Sequence, residues 1–332
     1  MGNIMRKTLA ACLVAGLGMM SNAWAAETLR VGGVIFGNHS SVRAMKEIFI
    51  PGVEKATEGR YKVQLFINGE LGGNAEMVQQ VRNGTIFGTL ISSAWVTSYV
   101  PELGVTGLPF LFPDRAAVAK VMGGPLGKEL DKALLDKGFW NLGFMELGFR
   151  HLTNSKRPVT SPEDIKGLKI RLQANPVHIE TFKLLGASTA QVDGKELFPA
   201  LSQGVIDGQE NPYSVISMFK IPDAGQKYLT ETGHFYDLML FAGSKRMLEK
   251  MTEKDRNAIL ELATQTTRKQ LEYAVEEEAT FKKDVAAKGV QITSLSDAQR
   301  DAFRKATLPM YEQTKKTLDA GLVDRFAAAA RK

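Results

Sequence analysis

Apolar positions along the chain follow two rhythms, one of period two and one near 3.6, and they alternate. Leu29–Ile35 is a short apolar run that predicts an opening strand. From Ser41 to about Thr57, Val42, Met45, Ile48 and Val53 recur at near-helical spacing, with a kink expected at Pro51-Gly52. Val63, Leu65 and Ile67 alternate, predicting a strand over Tyr61–Ile67. Gly72-Gly73-Asn74 then opens a helix with Met77, Val78 and Val81 on its inner face, closed by Gly84. Thr85–Ile91 is the next strand. Strand, helix, strand in this order is a βαβ unit and implies parallel pairing.

The pattern recurs downstream. Strands are predicted over Trp140–Glu146 and Leu168–Leu172, the second after a capped turn at Ser161-Pro162-Glu163-Asp164. Helices are predicted over Pro176–Leu185, ended by Gly186, and Gly194–Gln203, ended by Gly204, with Val205–Gln209 leading into another strand edge. The longest helix starts near Thr252, an N-cap, and runs to Gly289. At ~1.5 Å per residue it is roughly 50 Å long, more than one small domain, so it should run along two. Ser296 and Gln299 form a capping box, and Ala327–Lys332 reads as a frayed tail.

The first 25 residues have a different character. Arg6 and Lys7 precede an apolar run, Thr8–Met20, followed by Ala23-Trp24-Ala25, an A-x-A pattern. This reads as a cleavable export signal ending near Ala25. The run is too short for a bilayer core, which needs ~20 residues. Leu9-Ala10-Ala11-Cys12 resembles a lipoprotein box, but almost no apolar segment separates it from Lys7. Removing Arg6 and Lys7 lowers the formal charge from +6 to +4, and the product has no cysteine, since Cys12 is the only one. Disulfide frameworks, cysteine zinc sites and CxxC redox pairs are thereby excluded. The 332 residues suffice for two domains, and 44% hydrophobic with 23% charged content is ordinary for a globular protein. The 42 basic against 36 acidic residues are dispersed, so nothing suggests nucleic acid as a partner.

Catalytic constellations are missing from the pattern. His39, His151, His178 and His234 show no metal-ligand spacing, and no G-x-S-x-G elbow, phosphate loop or dinucleotide fingerprint occurs. No catalytic residue, metal or cofactor is expected. The informative stretch is Gly148–Asn211. Arg150 directly follows a strand, and Arg171 lies in or at the end of another that is otherwise apolar. Parallel α/β sheets bind ligands at strand carboxyl ends. A guanidinium there can grip a carboxylate with two parallel hydrogen bonds. From position alone, an ion pair with a nearby Asp or Glu is an equal alternative for each arginine. Asn211, held extended before Pro212, offers an amide to the same crevice, or simply belongs to a turn.

Five segments in order carry a family resemblance: Gly69-Glu70-Leu71-Gly72 with Glu76 and Gln80–Thr85; Leu108–Phe112; Arg150 with Thr153-Asn154; Gly167–Arg171; and Ile206–Pro212. The chain resembles, over essentially its whole length, the DctP-type solute-binding subunits of TRAP transporters. The resemblance implies an α/β fold of two lobes with mixed, mainly parallel sheets, hinge crossovers and one long helix bracing both. It implies lobe I over 26–147 plus about 237–275, and lobe II over 148–236 plus about 276–332. It implies a periplasmic, monomeric protein that captures a small carboxylate in the cleft and hands it to a membrane permease. Arg171 matches the main carboxylate-binding arginine, Arg150 the second cleft arginine, Asn211 the cleft asparagine and Glu76 a cleft-side acidic position.

The chain also departs from common members of that family. Gln191–Phe198 replaces a stretch that usually carries an aromatic cleft residue near Asp193, and Trp95 stands where smaller residues are usual. Asp193 offers an acceptor to ligand hydroxyls or a counter-charge to an amine, and Trp95 a surface for a sugar face or a pocket filler. Asn38 and His39 join them as polar groups expected to read the ligand. These departures favour a sugar acid such as a hexuronate over C4-dicarboxylates. A ligand-sensing role would use the same cleft, and a hydrolase or isomerase would need His151 or His178 as its base.

Overall fold

The computed structural model describes residues 26–331; the export signal expected in the first 25 residues, the cleavage expected near Ala25, and Cys12 lie outside them. Among the described residues eleven strands form two sheets. They are β1 (Glu27–Gly33), β2 (Tyr61–Phe66), β3 (Gly88–Ser92), β4 (Phe139–Phe149), β5 (His151–Asn154), β6 (Lys169–Leu172), β7 (Ser188–Gln191), β8 (Gly208–Asn211), β9 (Tyr228–Glu231), β10 (Tyr236–Ser244) and β11 (Gln291–Ser294). The first sheet has the order β2-β1-β3-β10-β4, the second β11-β9-β5-β8-β6-β7. Among the described residues, five of the nine pairings are parallel. Each sheet is the centre of one lobe.

The βαβ unit forms as its pattern dictates. β1 pairs in parallel with β2 and with β3, and helix Asn74–Asn83 crosses between them, burying Met77, Val78 and Val81. Gly84 ends that helix at φ +76°, a left-handed conformation that favours glycine. The interruption expected at Pro51 falls slightly earlier. Residues 40–56 are helical throughout, but Met45–Phe49 widen into a π turn, where the Ile50 N–H donates to the Met45 carbonyl. Pro51 has no N–H for the carbonyl one turn back, and the wider turn absorbs the mismatch.

β10 has no counterpart in the predicted elements. It is buried along its full length, and its side chains divide between two cores. Tyr236, Leu238, Leu240 and Ala242 join one core, Met239 and Phe241 the other. A strand covered on both faces reads as one apolar run, so alternation does not mark it.

Helix Glu253–Ala287 braces both lobes. Ile259 and Ala263 pack into a core of the first lobe and Val285 into a core of the second. At ~1.5 Å per residue it is about 52 Å long. Gln270 docks its middle onto β4: its amide donates to the Glu146 carbonyl (2.8 Å) and accepts from the Glu146 N–H (2.9 Å). Among the described residues no helix is long and apolar enough to cross a membrane.

The chain's end corrects the expected partition. Helix Ala320–Ala330 is not frayed. Its Leu322, Val323 and Phe326 are buried with Val118, Val121 and Leu130, in a core of the first lobe. An apolar i, i+4 pair outweighs the alanine-rich composition, and the last segment belongs with lobe I rather than lobe II.

Candidate functional site

Between the lobes lies a cavity of about 50 Å³, room for roughly three to five waters. Its walls are the carboxyl ends of parallel strands from both sheets. The first lobe supplies Val34–Phe36 after β1, Leu90–Ser92 at the end of β3, Trp95, His39 and Asn74. The second supplies Arg171 and Gln173 at the end of β6, Asn211 closing β8, and Val215, Met218 and Phe219. The crevice at strand ends expected for such sheets is thus formed twice, face to face.

Arg171 is the electrostatic centre of this cavity. It is 2% exposed. Its Nε donates to the Val192 carbonyl at 2.8 Å, and its guanidinium carbon lies 5.9 Å from the Trp95 ring centre. Among the described residues no carboxylate forms an ion pair with it, and its other N–H groups have no protein acceptor. Burial, with the Arg150 charge adding to it, pulls its pKa down to about 10. The group stays protonated at neutral pH, yet it is short of counter-charge. A buried guanidinium arranged this way has N–H groups with which it can donate to an anion.

Asn211 is held by a one-way relay. Its amide donates to Gln209, Gln209 to Thr153 (2.9 Å), Thr153 to Gln226 (2.9 Å) and Gln226 to the Asp207 carbonyl (3.2 Å). Each step fixes the next amide, so the Asn211 carbonyl oxygen and one N–H remain for the cavity. His39 is fixed in the same sense. Its Nδ1 accepts from the Ser41 N–H at 3.2 Å, which places the hydrogen of the neutral ring on Nε2. Burial holds its pKa down to about 4, so it is neutral at pH 7. Trp95 lines the wall as well.

Four expected cleft residues stand elsewhere. Arg150 is fully buried but does not line the cavity. It sits where the chain passes from β4 to β5, that is, from one sheet to the other. Its guanidinium is taken up by two acids: Nε and Nη2 donate to the Glu210 carboxylate (2.5 and 2.9 Å), Nη2 also to the Glu210 carbonyl, and Nη1 to Asp237. The ion-pair alternative is the one realised here. Glu76 is exposed on the first turn of its helix and accepts from Gln80 at 3.2 Å. Asn38 is exposed in the turn after β1 and does not reach the wall.

Asp193 is not on the cavity wall either, because it is spent between the lobes. Its carboxylate accepts from the Asn74 N–H at 2.8 Å and the Asn74 side-chain amide at 3.3 Å. Asn74 opens helix Asn74–Asn83, so an acid of the second lobe caps a helix start on the first. A Cβ at Gly73 would stand 2.9 Å from that carboxylate, so the approach needs a glycine there.

Sequence pattern did not single out Gln173, Asn74 and Ser92. Gln173 had a readable signal, since it lies two residues past Arg171 and therefore on the same strand face. Ser92 is 2.6 Å from Asp237 and 3.2 Å from Gln173, and a contact across 145 positions leaves no local trace. Among the described residues no group of three His, Cys, Asp or Glu side chains could hold a metal ion.

Comparison with known proteins bears directly on this geometry. The model of the family described as bacterial extracellular solute-binding protein, family 7 (DctP) matches residues 35–317. A solute-binding protein of Verminephrobacter eiseniae is 38% identical over 283 residues, 85% of this chain and 84% of that protein. A TRAP periplasmic solute-binding protein from Polaromonas sp. JS666, solved with D-erythronate, superposes with a TM-score of 0.86 at 35% identity, covering 91% of this chain and 98% of that one. The sugar acid binding protein DctPAm from Advenella mimigardefordensis, solved with galactonate, gives a TM-score of 0.88 at 31% identity, covering 92% and 98%.

Proposed function

We propose, from the premise that this chain belongs to the DctP family of bacterial extracellular solute-binding proteins, that it captures a sugar acid through an arginine–carboxylate clamp at Arg171 and delivers it to a TRAP membrane permease. The family and its solved members are substrate-binding proteins, so the task is retention of a ligand rather than its conversion. The observation that carries the reading is the 2%-exposed guanidinium of Arg171 on the cavity wall, without an acid of its own. Two solved relatives hold erythronate and galactonate, each a hydroxylated monocarboxylate. In this chain the carboxylate would sit on Arg171, with Asn211, Gln173 and His39 serving the hydroxyls.

A thermal-shift screen against organic acids tests this. At 100 times its dissociation constant a ligand adds about 2.7 kcal/mol of stability, so at least one carboxylic acid should raise the melting temperature by several degrees. The neutral sugar or polyol of the same skeleton should not. A shift with neutral sugars and none with acids would refute the clamp.

Asp193 gives the capture its closing contact. A ligand that touches both lobes shifts a hinge equilibrium towards the closed form, and the Asp193–Asn74 contact belongs to that form. Because the carboxylate is partly exposed, its loss should cost only about 1 kcal/mol. Asp193→Ala should therefore weaken affinity roughly fivefold, with the change in the dissociation rate rather than the association rate. Stopped-flow fluorescence using the cavity tryptophan, Trp95, reads both rates. An unchanged dissociation rate would remove the latch.

A further inference from the structure

We infer that the trapped molecule is a monoanion with an uncharged remainder: one carboxylate for Arg171, no second carboxylate and no ammonium. This rests on the carboxylate capture proposed above and narrows it. Arg171 is the one charged side chain on the cavity wall among the described residues. The other polar wall groups, namely His39, Asn74, Ser92, Gln173 and Asn211, are uncharged, and the rest of the wall is apolar. Phe36 and Phe219 meet edge to face there, with ring centres 4.4 Å apart.

Charges close enough to serve a second ionic group are already engaged. Arg150 is held by Glu210 and Asp237. Asp237 also accepts from Ser92 at 2.6 Å. Asp193 is bound to Asn74. A second carboxylate would therefore enter the cavity without a cation of its own, because the Arg150 guanidinium is already shared between Glu210 and Asp237. An ammonium would find no free carboxylate. Either would be desolvated without a partner, which is the costliest arrangement for a charge. Hydroxyl and carbonyl groups, in contrast, match the donors and acceptors that remain on His39 and Asn211.

Matched ligand sets test the inference by calorimetry on the mature protein. At four carbons the set is erythronate, tartrate and threonine; at six it is gluconate, glucarate and glucosaminate. At each length that binds, the aldonate should be at least tenfold tighter than the dicarboxylate and the amino acid, a difference of about 1.4 kcal/mol or more. A smaller ratio, or the reverse order, overturns the inference while leaving the carboxylate clamp in place. If neither set binds, the tightest ligand of the wider acid screen decides: a monocarboxylate supports the inference, and a dicarboxylate or amino acid overturns it. Failure of every carboxylic acid would remove the clamp itself, and this inference with it.

Discussion

Replacing Arg171 by alanine should lower affinity for the captured acid at least thirtyfold, about 2 kcal/mol, while the ligand-free protein stays as stable as wild type or gains stability. The two halves have one cause. The guanidinium is buried and holds a single protein hydrogen bond, to the Val192 carbonyl. That is a cost to the unliganded fold, which removal of the charge relieves. With ligand bound, the same side chain faces a carboxylate in a dry site, and truncating one partner of such a pair costs 2–5 kcal/mol, mostly through faster release. Arg171→Lys separates charge from shape. It keeps the cation but loses the planar fork, so its affinity should fall between the other two. Calorimetry, with melting curves in the presence and absence of ligand, reads all of this. Wild-type affinity in Arg171→Ala, together with a ligand-free melting temperature several degrees lower, would make Arg171 a structural residue and end the proposed clamp.

The two arginines show where sequence reading stops. Both stand at strand ends in similar surroundings, and their local patterns are nearly equivalent. What separates them is the location of the acids. Glu210 and Asp237 lie 60 and 87 positions beyond Arg150, and only the fold brings them to it. Elements whose cause is local were legible: the βαβ unit around Asn74–Asn83, the long helix from its Thr252 cap, and Pro51 with its interruption. β10 and helix Ala320–Ala330 were not, because their identity depends on burial by distant segments. The same holds for Asp193, which was expected on the cleft wall but is taken up by a helix start across the cleft. The cavity's floor was therefore readable from its strand ends, and its charge balance was not.

Arg150 should behave oppositely to Arg171: Arg150→Met is expected to destabilise the fold by about 3–5 kcal/mol, the effect of breaking a buried ion pair from one side. Its position explains the size. Arg150 joins β4 to β5, and its N–H donates to the Phe235 carbonyl (2.9 Å) on the other crossover, just before β10. Its guanidinium ties Glu210 on β8 of one sheet to Asp237 on β10 of the other. Without it, two carboxylates are left buried. In the wild type, burial works to raise the Glu210 pKa, but the Arg150 charge outweighs it and holds the group down to about 2. That contribution to stability is present above the unfolded-state value of ~4.3 and is lost only as pH falls towards 2. In Arg150→Met burial is opposed only by the hydrogen bonds that remain, His234 to Glu210 (3.2 Å) and Ser92 to Asp237 (2.6 Å), and both acids should have folded-state pKa values above their unfolded ones. The folded variant then binds more protons than its unfolded chain, so its deficit relative to wild type should narrow from pH 8 to pH 5. Urea unfolding across that range measures the narrowing. If the single variant does not fold, the triple variant Arg150→Met, Glu210→Gln, Asp237→Asn should, since it removes the stranded charges together with their partner. A stable Arg150→Met protein that had lost only ligand affinity would return Arg150 to the cavity wall as a second clamp.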